Sequence, residues 1–114
     1  MPKRQALRGA DFQRIFREGR RVSTPHLVVL SSGRPGGGPG RYGLAVSKKF
    51  GNAVERNRIR RQIRAAVYLV GGPAPDHDFV ISPRAGMRPT VGALTGELWK
   101  IMESKRGRAK EDAR

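Results

Sequence analysis

Residues 47–64 read SKKFGNAVERNRIRRQIR. Two lysines and five arginines stand there against one acid, Glu55. The chemistry open to such a group is recognition of anions. A planar guanidinium forks onto phosphate oxygens and stacks on bases, while an ammonium acts as a point charge. Little else in the chain could react. With no cysteine, it can have no thiolate nucleophile, disulfide or thiolate zinc site. Its two histidines, His26 and His77, belong to no Ser-His-Asp arrangement, and no two carboxylates are paired in a motif. Asp76-His77-Asp78 has metal-ligand residue types but reads better as a loop leading into a strand. GRPGGGPG (33–40) lacks the Gly-Lys-Ser/Thr ending of a phosphate-binding loop.

The whole composition points the same way. In 114 residues, 24 Lys and Arg oppose 9 Asp and Glu, a net charge of +15. Self-repulsion of that size costs stability unless a polyanion neutralises it. A membrane surface would call for cations interleaved with exposed Trp, Phe and Leu, yet one Trp and four Phe are scattered along the chain. Arg outnumbers Lys 18 to 6, which favours nucleic acid. No apolar run approaches the roughly 20 residues of a membrane span. The N-terminal MPKRQALRGADF has no apolar stretch behind its basic residues. A cytoplasmic protein of one domain, residues 1–114, is expected.

The elements that must carry the cations follow from periodicity. Residues 1–8 form a basic arm. Phe12, Ile15 and Phe16 share a face of a first helix over about Ala10–Gly19, with Asp11 at its positive end and Gly19 as its stop. RRVS (20–23) suggests a very short strand, and HLVVLSS (26–32) reads as a strand. The Gly/Pro-rich 33–40 is a flexible connection. RYGLAVSKK (41–49) reads as the next strand. Tyr42, Leu44 and Val46 lie on a bulky face; Gly43, Ala45 and Ser47 make a face small enough for a helix or ligand to come close. Asn52 with Glu55 three residues on makes a capping box for a helix over Ala53–Val70, ended by GGPAP (71–75). DFVISPR (78–84) is a strand. Pro89 and Thr90 open a last helix with Val91, Leu94, Leu98 and Ile101 on one face and Trp99 as a partly buried anchor. The charged tail from about Lys105 to Arg114 is expected to fray. The order α-β-β-β-α-β-α predicts an α+β fold, an α/β sandwich. It has a small, mostly antiparallel four-stranded sheet, three helices, and the arginine-rich helix in a βαβ crossover.

On a wheel of about 100° per residue, Ile59, Ile63, Ala66, Val67 and Val70 fall in one apolar arc. Asn57, Arg60, Arg61 and Arg64 form a stripe beside it, with Arg56 at the first turn and Arg58 further round. A solvated helix face usually mixes signs to gain i,i+4 pairs. Glu55 is the only acid here, so the stripe reads as a rail for phosphates.

These residues resemble a known family. SKKFGNAVERNRIRRQIR is similar to the signature of the bacterial ribonuclease P protein subunit, with Arg56-Asn57-Arg58 as its central RNR followed by Arg60, Arg61 and Arg64. ADFQRIFREGRRV resembles the family's first helix, YGLAVSKK the strand before the arginine helix, and DFVISPRAG its late strand. The resemblance runs from about Leu7 to Met102.

The resemblance implies the small protein subunit of a ribonucleoprotein endonuclease. That enzyme removes the 5′ leader of precursor tRNA, with chemistry carried by a catalytic RNA and its Mg²⁺ ions. The protein then has no catalytic residue and no metal site of its own. It would bind the catalytic RNA through Lys48, Lys49, Arg56, Asn57, Arg58, Arg60, Arg61 and Arg64. The leader would lie in a cleft with Phe12, Phe16, Ala45 and Ser47, although Phe12 and Phe16 read equally well as core packing. Its partners are the catalytic RNA and precursor tRNA, with no membrane and no obligate protein partner. Arg60 stands where relatives often carry Lys, Ala65 where many carry Glu, and Leu30 where some carry an aromatic that touches the leader. The alternatives are a structural RNA-binding protein, such as a small ribosomal protein, and a self-sufficient nuclease. The missing catalytic constellation disfavours the nuclease.

Overall fold

The computed structural model describes the backbone of residues 7–112 and the side chains of residues 7–106. Most of the basic arm lies outside the described residues. The elements are α1 (Gly9–Glu18), β1 (Arg20–Ser23), β2 (Leu27–Gly33), β3 (Arg41–Leu44), α2 (Ala53–Leu69), β4 (His77–Pro83) and α3 (Val91–Asp112), with a 3-10 turn at Lys48–Phe50. The sheet order is β1-β2-β4-β3. β1 pairs with β2 and β2 with β4 antiparallel, and β3 runs parallel to β4. A parallel pair needs a crossover, and α2 supplies it. The predicted α+β architecture is the observed one.

Alternation along the strands divides the sheet into two apolar faces. Leu27, Val29, Phe79 and Ile81 join Ile59, Ile63, Ala66 and Val67 of α2 and Leu94, Leu98 and Met102 of α3 in the main core. Tyr42, Leu44 and Val46, the bulky face of the third strand, pack against this core. Val80 faces the other way and joins Leu7 and Ile15, with Phe12, Leu30 and Ala45 around them. The sheet thus lies between α1 on one side and α2 with α3 on the other.

The third strand is shorter than its alternation predicts. Pairing ends at Leu44, although the Ala45 N–H still reaches the Ile81 carbonyl at 3.0 Å. The chain then turns at Lys48–Phe50, where the Phe50 N–H donates to the Ser47 carbonyl. The reason lies at Phe50. Its side chain belongs in the main core, and a straight strand would carry it past. The last helix also departs from expectation, since it continues through the charged tail to Asp112. Lys105 is buried against the fold rather than projecting from it.

Candidate nucleic-acid interface

The helix that carries the arginines starts as the sequence predicts. The Asn52 side chain accepts the Glu55 N–H at 2.9 Å, and Glu55 accepts the Asn52 N–H at 3.2 Å. Glu55 also takes a guanidinium nitrogen of Arg88. The Arg88 guanidinium sits 4.8 Å from the Phe50 ring centroid and donates to the Phe50 carbonyl. The Asn52 backbone N–H, then Arg88, hold the Glu55 carboxyl below the usual carboxylate range. The only acid of the segment is therefore occupied, and Arg88 ties the start of α2 to the β4–α3 connection.

Beyond Glu55 the cations have no acid. Among the described residues, no carboxylate lies within 4 Å of a guanidinium of Arg56, Arg58, Arg60, Arg61 or Arg64, and none reaches Lys48 or Lys49. The described acids are engaged elsewhere. Asp11 and Asp78 serve Arg41, Glu97 serves His26, Glu103 serves Arg106, Glu18 serves Arg17, and Asp76 accepts the Gly38 N–H. Lys48, Lys49, Asn57, Arg58, Arg61 and Arg64 are exposed. Arg60 donates to the Asn57 side-chain carbonyl at 3.0 Å, so Asn57 orders its neighbour. Arg56 is half-buried, and its Nε is buried without an acceptor among the described residues. The apolar arc behind these residues is seated as predicted, with Ile59, Ile63, Ala66, Val67 and Val70 buried.

The second group of predicted residues lies on the α1 side of the sheet. Phe12 packs over Gly43 so closely that a Cβ there would stand 2.4 Å from Phe12 Cζ. The small face of the third strand thus admits a helix residue. Phe12 and Ala45 share one apolar cluster. Phe16 stacks on Phe12, with centroids 6.4 Å apart and rings inclined by 30°, yet stays 58% exposed. Phe12 accordingly packs at the core edge, and Phe16 offers an open aromatic face. Ser47 is exposed where the chain leaves the sheet for Lys48 and Lys49.

An ion cluster that sequence reading missed holds α1 in place. Asp78 is fully buried in β4. It accepts Arg41 Nε at 2.8 Å, Arg41 Nη2 at 2.7 Å and Arg14 Nη2 at 2.5 Å. Arg14 also donates to Ser32 and to the Gly33 carbonyl, while Arg41 reaches Asp11 at 3.4 Å. Burial alone would raise the Asp78 carboxyl. The hydrogen bonds and charges of Arg41, then of Arg14, outweigh it and hold the group below the usual range. The bond to Asp78 in turn raises Arg41. Asp76-His77-Asp78 therefore has structural work: Asp76 fixes the glycine-rich connection, and Asp78 anchors α1 and β3. Among the described residues, no three His, Cys, Asp or Glu side chains converge as metal ligands.

The comparisons with known proteins point to one family. The family model described as Ribonuclease P matches residues 1–106. The ribonuclease P protein component of Gluconacetobacter diazotrophicus is 42% identical over 96 residues, which span 82% of this chain and 83% of that protein. That of an Exiguobacterium species is 37% identical over 100 residues, spanning 88% and 84%. The solved RNase P protein of Thermotoga maritima superposes with a TM-score of 0.77 at 29% identity, covering 89% of this chain and 97% of that one. The RNase P protein of Staphylococcus aureus superposes with a TM-score of 0.66 at 31% identity, covering 95% and 97%. Sequence over most of the chain and fold over nearly all of it agree, and the chain belongs to the bacterial ribonuclease P protein family, the protein component of an endoribonuclease of tRNA processing.

Proposed function

We propose that the chain binds the catalytic RNA of ribonuclease P through the exposed face of α2 and takes the 5′ leader of precursor tRNA in the cleft beside α1. The observation that carries this reading is the rail of Lys48, Lys49, Arg56, Arg58, Arg60, Arg61 and Arg64, which no carboxylate among the described residues pairs. Such charge is stabilised by a polyanion and opposed without one. Phe16 supplies an open stacking surface, with Phe12 behind it and cations near Ser47. This combination suits a single strand, whose bases stack on aromatics while its phosphates meet cations.

In this reading the hydrolytic step belongs to Mg²⁺ held by the RNA, which supplies a metal-activated water. The residues of this chain bind and orient. The protein is proposed to work in the cytoplasm with the catalytic RNA and precursor tRNA as its partners. The deciding experiment is cleavage of a precursor tRNA by a cognate catalytic RNA at low millimolar Mg²⁺, with and without the protein. Restored cleavage at the mature 5′ end is the expected result. RNA binding that never assists cleavage would leave a structural RNA-binding protein. Cleavage by the protein free of RNA would revive the nuclease alternative. Leader contact predicts tighter binding of precursor than of mature tRNA to the assembled ribonucleoprotein, and equal binding would remove the cleft from the account.

A further inference from the structure

A cavity of about 480 Å³ lies between the edge strand β3 and the C-terminal half of α2. Tyr42 and Leu44 line it from the strand, Arg64, Val67 and Tyr68 from the helix, and Pro73 from the turn after the helix. Tyr68 is 82% exposed. A lone exposed aromatic is ordinary, but the position of this one is informative. Asn57, Arg61, Arg64 and Tyr68 stand at i, i+4, i+7 and i+11, so one stripe of α2 carries all four. The phosphate rail thus ends in an aromatic ring, one turn or about 6 Å beyond Arg64. Beside that ring the surface opens into a cavity of ligand size with a second tyrosine in its wall. β3 is the last strand of the sheet, and an edge strand presents backbone N–H and C=O groups that its ladder does not use. A flat apolar body, polar at its rim and joined to a phosphate, matches these features together.

We propose that this cavity takes an unpaired nucleobase of the bound RNA, against Tyr68 and Tyr42, with its phosphate on Arg64. The inference rests on the reading of α2 as an RNA-binding helix and adds a discrete base slot at its end. An RNA strand following the arginines delivers a nucleotide to this point, where charge gives way to stacking.

The test is equilibrium binding of the full chain to the catalytic RNA across a salt series, for the wild type, Tyr68→Ala and Tyr68→Phe. Tyr68 is solvated, so its removal leaves the core intact. Loss of one stacked base lowers affinity about 5- to 100-fold. The expected result is a loss in that range for Tyr68→Ala with an unchanged salt slope, because no phosphate contact is removed, and near wild-type binding for Tyr68→Phe. A loss below fivefold overturns the slot. So does a shallower slope, or a Phe variant as weak as the Ala variant, since both point to a role other than stacking. The same variants are run against a single-stranded oligoadenylate of ten nucleotides. If the wild type fails to bind the catalytic RNA, the ribonucleoprotein reading falls. The oligonucleotide then decides the slot alone: a fivefold or greater loss with Tyr68→Ala retains it, and equal binding removes it.

Discussion

Arg61→Ala isolates a single cation of the rail. Arg61 is exposed and has no carboxylate within 4 Å among the described residues, so its removal breaks no ion pair there. The rail has seven cations: Lys48, Lys49, Arg58, Arg61 and Arg64 exposed, and Arg56 and Arg60 half-buried. If about five to seven of them each displace counterions from a phosphate, log affinity falls against log salt with a slope of about −4 to −6, taking roughly 0.7–0.9 per contact. Between 50 and 200 mM salt, affinity then drops about a thousandfold. Arg61→Ala should make the slope shallower by about one unit, across all RNA sequences alike. The assay is filter binding or anisotropy on the catalytic RNA at four or more salt concentrations. Arg106→Ala is the control, because Arg106 bonds Glu103 and the Gly72 carbonyl and should leave the slope alone. An unchanged slope for Arg61→Ala would refute the reasoning, as would an equal change for Arg106→Ala.

Asp78→Asn strands Arg14 and Arg41, both mostly buried, beside a neutral amide. Breaking a buried pair costs about 3–5 kcal/mol, so at unchanged m-value the urea midpoint should fall by that energy divided by m, at least about 1 M for an m of about 1–3 kcal/mol/M. The lowered Asp78 pKa also sets the pH window. Its contribution is complete above about pH 4, near the ordinary Asp value, and is lost as pH falls through the depressed folded value. The difference between wild type and Asn variant should therefore shrink in acid. Gly43→Val should drive Phe12 from its seat and cost about 1–3 kcal/mol as overpacking. A Phe12→Ala partner in a double-mutant cycle should return most of that cost, and strict additivity would deny the contact. Added phosphate should raise the melting temperature of the free protein by binding the rail. Replacing Arg61 and Arg64 together with Ala should diminish that rise, and an equal rise would count against a preformed anion surface.

The helix with the rail was legible because everything that defines it is local. Asn52 and Glu55 are three residues apart, and the apolar arc repeats every turn. The strands were legible for the same reason, from alternation. What escaped depends on residues brought together from afar. Arg14 and Arg41 meet Asp78 across 64 and 37 positions, and no spacing in the sequence announces that. The early end of β3 follows from Phe50 entering the core under Arg88, 38 residues on. The seat of Phe12 on Gly43 needed the sheet before it could be seen, although the small residues at 43 and 45 signalled that something would come close. Tyr68 showed nothing by itself, because its neighbour across the cavity is a strand that precedes the helix.

The place of β4 has a consequence for how the molecule comes into being. β4 is the last strand to be made, yet it lies between β2 and β3. Until residue 83 has left the ribosome, β3 has no strand to pair with, and Arg14 and Arg41 lack Asp78 to gather around. Only the β1–β2 hairpin can form early. The arginine helix is synthesised whole before the strand that closes its crossover exists. Contacts so distant in sequence slow folding, so the nascent chain passes through an interval with its cations in place and its apolar arc uncovered. Assembly of the fold is gated by its fourth strand, and any chain that stops short of that strand keeps the cations of α2 without the scaffold that aims them.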